Sequence, residues 1–159
     1  MSKPWLTFDC YDTLVRYSEG KAVALATLVR EKGGDNIAVN CAQSAFEACE
    51  KQLQMGPFNA LNVVLRKSLH TGLKAAGLPV TTRDEEAIIE AVKSSEPFPD
   101  TGPALADLKR DYRLAILSNS EPDIIRQNIA SIGIEFDAVV LAAEAKCYKP
   151  APGMFHELL

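Results

Sequence analysis

The sequence predicts an α/β protein in which a parallel-sheet core is interrupted by an inserted block of helices. Three observations predict it. A short apolar run, Trp5 to Phe8, stops at an acid; four helix-like segments follow in succession; and from residue 98 onward helical and strand-like segments alternate. Alternation of that kind implies parallel pairing with right-handed crossovers.

Trp5–Phe8 suits a buried strand of a parallel sheet, although periodicity alone does not separate it from a short helix. Leu25, Leu28 and Val29 have helical spacing before a stop at Gly33-Gly34, and Ala42, Ala45, Phe46, Cys49 and Leu53 form a second stripe with Asn40 as its expected cap. A third helix is expected from about Asn59 through Leu73 to Gly77, and a fourth after Thr82, with Glu85 completing a capping box. Proline lacks an amide donor and restricts its predecessor, so Pro97-Phe98-Pro99 marks a return to the sheet layer. A helix at 103–111, a strand at Leu114–Leu117, a helix at 122–132 ended by Gly133, and a strand at Phe136–Leu141 complete the pattern. The expected division is a core of 1–15 plus 98–159 and a helical cap of 16–97, since a structureless loop of that length would be implausible.

The composition suits a single soluble globular unit, with 47% hydrophobic and 24% charged residues in a chain of 159. The 17 basic and 21 acidic residues are interspersed, giving a net charge of −4 and no basic stripe for a nucleic-acid backbone. The longest mostly apolar run, Ala22–Val29, is too short to cross a bilayer, and no signal peptide is read, so a cytoplasmic location and a small-molecule partner are expected. The sequence neither implies nor excludes a homodimer. Cys10, Cys41, Cys49 and Cys147 form no CxxC pair, and His70 and His156 are not at metal-ligand spacing from them, which favours reduced thiols.

Ligands of open parallel sheets sit beyond the carboxyl ends of strands, and three polar clusters fall there: FDCYDTL, LSNSEPD and KCYKPAP. Asp9 follows the first strand with Thr13 four residues on, a spacing that suits a tight loop with a carboxylate able to attack carbon or phosphorus. Ser118 and Asn119 follow a strand, and Pro122 suits the first turn of a helix whose free amides attract anions. Lys149 precedes two prolines, so its ammonium can be held beside the Asp9 carboxylate. The bland readings are a turn cap for Asp9 and Thr13, helix caps for Ser118 and Asn119, and a solvated lysine at 149. Cys10 to Arg16 also fits C-x5-R, the signature of cysteine phosphatases, but Asp12 would repel phosphate and the loop lacks glycine.

FDCYDTL, LSNSEPD and YKPAP, in this order around a helical insertion, resemble the first three motifs of the haloacid dehalogenase superfamily, and most of all those of its 2-haloacid dehalogenases. The resemblance spans nearly the whole chain. It implies a Rossmann-like core with a helical cap, Asp9 as nucleophile, Thr13 and Ser118 as positioning groups, Lys149 as the motif lysine, and Ser118, Asn119 and loop amides as the hold on a substrate carboxylate. Tyr11 becomes a pocket residue. Phosphatases of the superfamily carry a second aspartate there, to protonate the leaving alkoxide; a halide leaves without a proton, whereas an alkoxide needs acid help of about 10²–10⁴-fold. Tyr11 therefore favours carbon–halogen cleavage without a cofactor. The alternatives are a phosphatase using Mg2+ and a non-catalytic relative.

The dehalogenases place an arginine on an early cap helix, where this chain reads Phe46-Glu47; Arg16, Arg30 and Arg66 are the substitutes to consider. The resemblance also implies that Leu159 lies inside a helix ahead of the family's last strand and acidic fourth motif.

Overall fold

The computed structural model describes residues 3–156, so the expectation about Leu159 lies outside the described residues. Strand β1 (Trp5–Phe8) is followed by helices α1 (Tyr17–Glu31), α2 (Asn36–Gln54), α3 (Leu61–Ala75) and α4 (Thr82–Lys93). Then come α5 (Thr101–Leu108), β2 (Arg113–Ser118), α6 (Pro122–Ile132), β3 (Ala138–Leu141), α7 (Ala142–Ala145) and α8 (Pro152–His156). The strands form a parallel sheet in the order β1-β2-β3, with Phe8 opposite Ile116 and Ser118 opposite Leu141. This register brings the carboxyl ends of the strands to one edge, where the polar clusters emerge.

The central strand explains its own sequence: Leu114, Ala115, Ile116 and Leu117 are buried because both faces are covered. β1 differs from the expected buried strand. Among the described residues it is an edge strand, and Trp5 is 38% exposed, with the Arg113 guanidinium lying over its ring. Below the sheet, Cys10, Leu14, Leu105, Ile125 and Leu141 pack into one core. The four helices between β1 and α5 make another from Leu25, Val29, Phe46, Leu65, Leu69, Leu73 and Ile88. Gly72 sets how closely α3 approaches α2, since a Cβ there would stand 2.7 Å from the Ala42 carbonyl oxygen.

Helix ends follow local side-chain competition. α2 starts a turn before the expected cap: Asp35 Oδ1 accepts the Ala38 amide at 2.9 Å, which leaves Asn40 inside the helix. The capping box is Thr81 with Asp84, each bonding the other's backbone amide, one residue ahead of the Thr82–Glu85 reading. α6 ends where expected, at Gly133 with φ of 73°. α5 and β3 are shorter than expected. Asp137 is spent before β3 on Leu114, accepting its amide through Oδ2 and donating to its carbonyl. No helix among the described residues is long and apolar enough to cross a membrane.

Candidate active site

The loop after β1 turns on one carbonyl. Cys10 O accepts the amides of Leu14 and Val15 at 2.8 and 3.1 Å, and Asp12 takes the left-handed conformation, φ 58°, that closes the turn. Asp12 is stabilised there by its carboxylate, which accepts the Ser18 amide and hydroxyl in the first turn of α1, where a negative charge is favoured. The turn points Asp9 into a cleft of about 450 Å³ between the sheet edge and helices α1 to α3. The same turn leaves Thr13 exposed and outside the cleft lining.

Asp9 is 46% exposed and uses Oδ1 twice, accepting the Cys10 amide at 2.8 Å and the Lys149 Nζ at 2.7 Å. Lys149 is held by the β2 end: Nζ donates to Leu117 O and the backbone amide to Asn119 Oδ1, each at 2.8 Å. Two strand ends and the loop after β3 thus fix one carboxylate–ammonium pair. Ser118 also lines the cleft; its hydroxyl is fully buried and finds no partner among the described residues, a cost unless something binding in the cleft supplies one. Tyr11 stacks on Tyr17 with centroids 4.4 Å apart, and its hydroxyl shares a 3.0 Å hydrogen bond with Ser120 Oγ. Burial raises the Tyr11 phenol well above its ordinary range, against the opposing pull of Ser120.

The opposite wall holds residues that sequence reasoning did not assign to the site. Lys21 of α1 pairs with Glu50 of α2, the Tyr17 hydroxyl donates to the same carboxylate, and the Lys21 ammonium lies 4.3 Å from the Tyr17 ring centroid. Burial, then the Glu50 charge, pushes the Tyr17 phenol upward. A signal was present: Tyr17, Lys21, Leu25 and Leu28 form one helical stripe, so a lysine stood on an apolar face. Glu47 and Lys51 also line the cleft. The arginine candidates do not: Arg16 pairs with Glu96, Arg30 bonds Asn36, and Arg66 pairs with Glu85, which also binds His70.

Cys10 packs into the core below the sheet, its thiol pushed up to about 12 by burial and then by the Asp9 charge, with Lys149 opposing. Such a thiol is no nucleophile, so the C-x5-R reading has no support at this loop. Among the described residues no three His, Cys, Asp or Glu side chains cluster as metal ligands. Asp9 Oδ1 faces the Lys149 ammonium, and the Asp12 carboxylate is engaged by Ser18.

The family described as "Hydrolase: haloacid dehalogenase-like hydrolase" matches residues 5–159. Among curated proteins, the chain is 29% identical to the (S)-2-haloacid dehalogenase of Xanthobacter autotrophicus over 94% of its own length and 59% of that relative. It is 27% identical to haloacetate dehalogenase H-2 of Moraxella sp. (strain B), over 92% of this chain and 66% of that one. A solved structure of the L-2-haloacid dehalogenase from Xanthobacter autotrophicus superposes with a TM-score of 0.76 at 26% identity, covering 99% of this chain and 64% of that one. The chain spans about three fifths of the first of these relatives. The family match takes in all three polar clusters, the inserted helices and the parallel sheet whose edge gathers them, and on that basis the chain belongs to the haloacid dehalogenase-like hydrolases.

Proposed function

We propose that this chain carries the nucleophile and most of the substrate pocket of a hydrolase that removes halide from short 2-haloacids. The observation that carries the reading is the pairing of Asp9 with Lys149 at the cleft floor, with Tyr11 in place of a leaving-group acid. The free oxygen of Asp9 attacks C2 and forms a C–O bond as the carbon–halogen bond breaks. Halide departs with the electron pair and needs no proton, so a phenol kept neutral by burial serves as a wall. Inversion at C2 leaves an aspartyl ester. Water then adds to the ester carbonyl, restoring the Asp9 carboxylate and releasing the 2-hydroxyacid and a proton.

Lys149 fixes the carboxylate's other oxygen and offsets negative charge in the cleft. The buried Ser118 hydroxyl and Asn119 hold the substrate carboxylate. Thr13 is exposed and outside the cleft lining, so its part is to shape the turn that presents Asp9 rather than to touch substrate. The similarity to an (S)-2-haloacid dehalogenase supports the same substrate class.

The test is halide release from L-2-chloropropionate without added metal. Asp9→Asn should abolish it and Lys149→Ala should reduce it by at least about 10²-fold. Release of phosphate from esters, with haloacids ignored, would replace this reading with the phosphatase one.

A further inference from the structure

The helical layer is joined to the core covalently at residues 15–17 and 94–98, yet it also touches the core far from that hinge. Between α2 and α3 the chain passes over the two loops that present Asn119 and Lys149. There the Tyr148 hydroxyl makes two hydrogen bonds to one residue, donating to Asn59 O at 2.7 Å and accepting the Asn59 amide at 2.9 Å. Phe58 lies against the Tyr148 ring, centroids 5.4 Å apart, and packs with Leu117, Val140, Ala142 and Met154 of the core. Beside it, Glu121 accepts the Asn62 amide at 2.7 Å and the Asn62 side-chain amide at 3.0 Å.

The geometry points to Glu121 and Tyr148 as positioning residues: a clasp that holds the cap against the two nucleophile-side loops and so registers the far wall of the cleft over Asp9. Three features carry this. Helix α3 begins at Leu61 with Ala60 before it, which offers no side-chain cap, and Glu121 from the core supplies one to the Asn62 amide. Tyr148 immediately precedes Lys149, and Glu121 lies two residues after Asn119, so both clasp residues share backbone with the groups that grip Asp9 and the substrate. Finally, Leu61 and Met55, at the two ends of the clasped segment, themselves line the cleft. Release of the clasp therefore opens the cleft wall and loosens the loops of Asn119 and Lys149 together.

The inference rests on the cleft being the reaction site, and its test has an arm that does not. Tyr148→Phe keeps the ring against Phe58 and removes both Asn59 hydrogen bonds; Glu121→Ala removes the trans cap. Hydrogen exchange read at the Asn59 and Asn62 amides should rise roughly tenfold or more in the corresponding variant, with β2 amides unchanged and the circular dichroism of the parent retained. In halide release, KM should rise while kcat is largely kept, because the variants lower the fraction of binding-competent, closed protein. Parent-like exchange at both amides, or loss of kcat at constant KM, overturns the clasp. A parent that releases no halide from any 2-haloacid sinks the proposed function alone, and the exchange measurements then decide the clasp by themselves.

Discussion

Replacing Lys21 with methionine isolates the buried charge pair of the cap wall. Lys21 is 6% exposed and Glu50 8% exposed, so neither charge has enough water to tolerate the loss of its partner. Breaking a buried pair from one side costs about 3–5 kcal/mol, because the remaining charge is left uncompensated. The Tyr17 hydroxyl still donates to Glu50, which places Lys21→Met at the lower end, about 3 kcal/mol. In a chain of this size that lowers Tm by about 6–12 °C. Met fills nearly the same space against Tyr17 and Phe46, so the loss is electrostatic rather than a cavity. The assay is urea unfolding, accepted where the m-value matches the parent. A double variant, Lys21→Met with Glu50→Gln, removes both charges and keeps an acceptor for Tyr17; it should return to within about 1.5 kcal/mol of the parent. A single variant within about 0.5 kcal/mol of the parent, or a double no better than the single, refutes the reasoning.

Asp84 sits below its ordinary value of 3.8: burial opposes ionisation, but Lys32 and the Thr81 amide outweigh it. A depressed carboxyl contributes stability that is complete above its unfolded value and lost as pH falls through the folded one, so Tm should decline below about pH 4. Asp84→Asn should flatten that decline, and an unchanged acid profile would count against the α4 cap as its source. The Cys10 thiol, pushed up to about 12 by burial, should resist iodoacetamide at pH 8 while exposed Cys41 is labelled. Mass spectrometry of native and denatured protein reads this, and native labelling of Cys10 at the Cys41 rate would contradict its burial.

The order of elements in this fold was legible where a boundary had a local cause. Gly33, Gly77 and Gly133 take positive φ after helices, and Pro97 and Pro99 bracket the return to the core. What was not legible depended on competition or on distance. Asp35 and Asn40 are both competent caps, and only the folded chain shows which amide is left free. The edge position of β1 depends on which strands pair, a property its four residues do not encode. The cap-to-core contacts join residues about sixty and ninety positions apart, Asn62 with Glu121 and Asn59 with Tyr148, and no periodicity announces such a pair.

The candidate site divides the same way. That Asp9, Ser118 and Asn119 share one cleft was legible because Asp9 and Asn119 directly follow apolar strands and Ser118 ends one, and parallel strands deliver their carboxyl ends to one edge whatever the rest of the chain does. Thr13 could not be placed by spacing, since the direction it faces depends on Asp12 adopting φ of 58° and on Cys10 O collecting the amides that follow. Lys21 and Glu50 were visible as charges on apolar stripes, which demands partners without naming them. Once paired they leave the cap wall with Glu47 and Lys51 as the charges that carry no ion pair among the described residues. Under the proposed function, a substrate carboxylate held at Ser118 and Asn119 therefore meets a cap wall whose buried lysine is already neutralised by Glu50. Discrimination between haloacids in this cleft should accordingly depend on size and on Glu47 and Lys51, the positions to vary first when substrate preference is mapped.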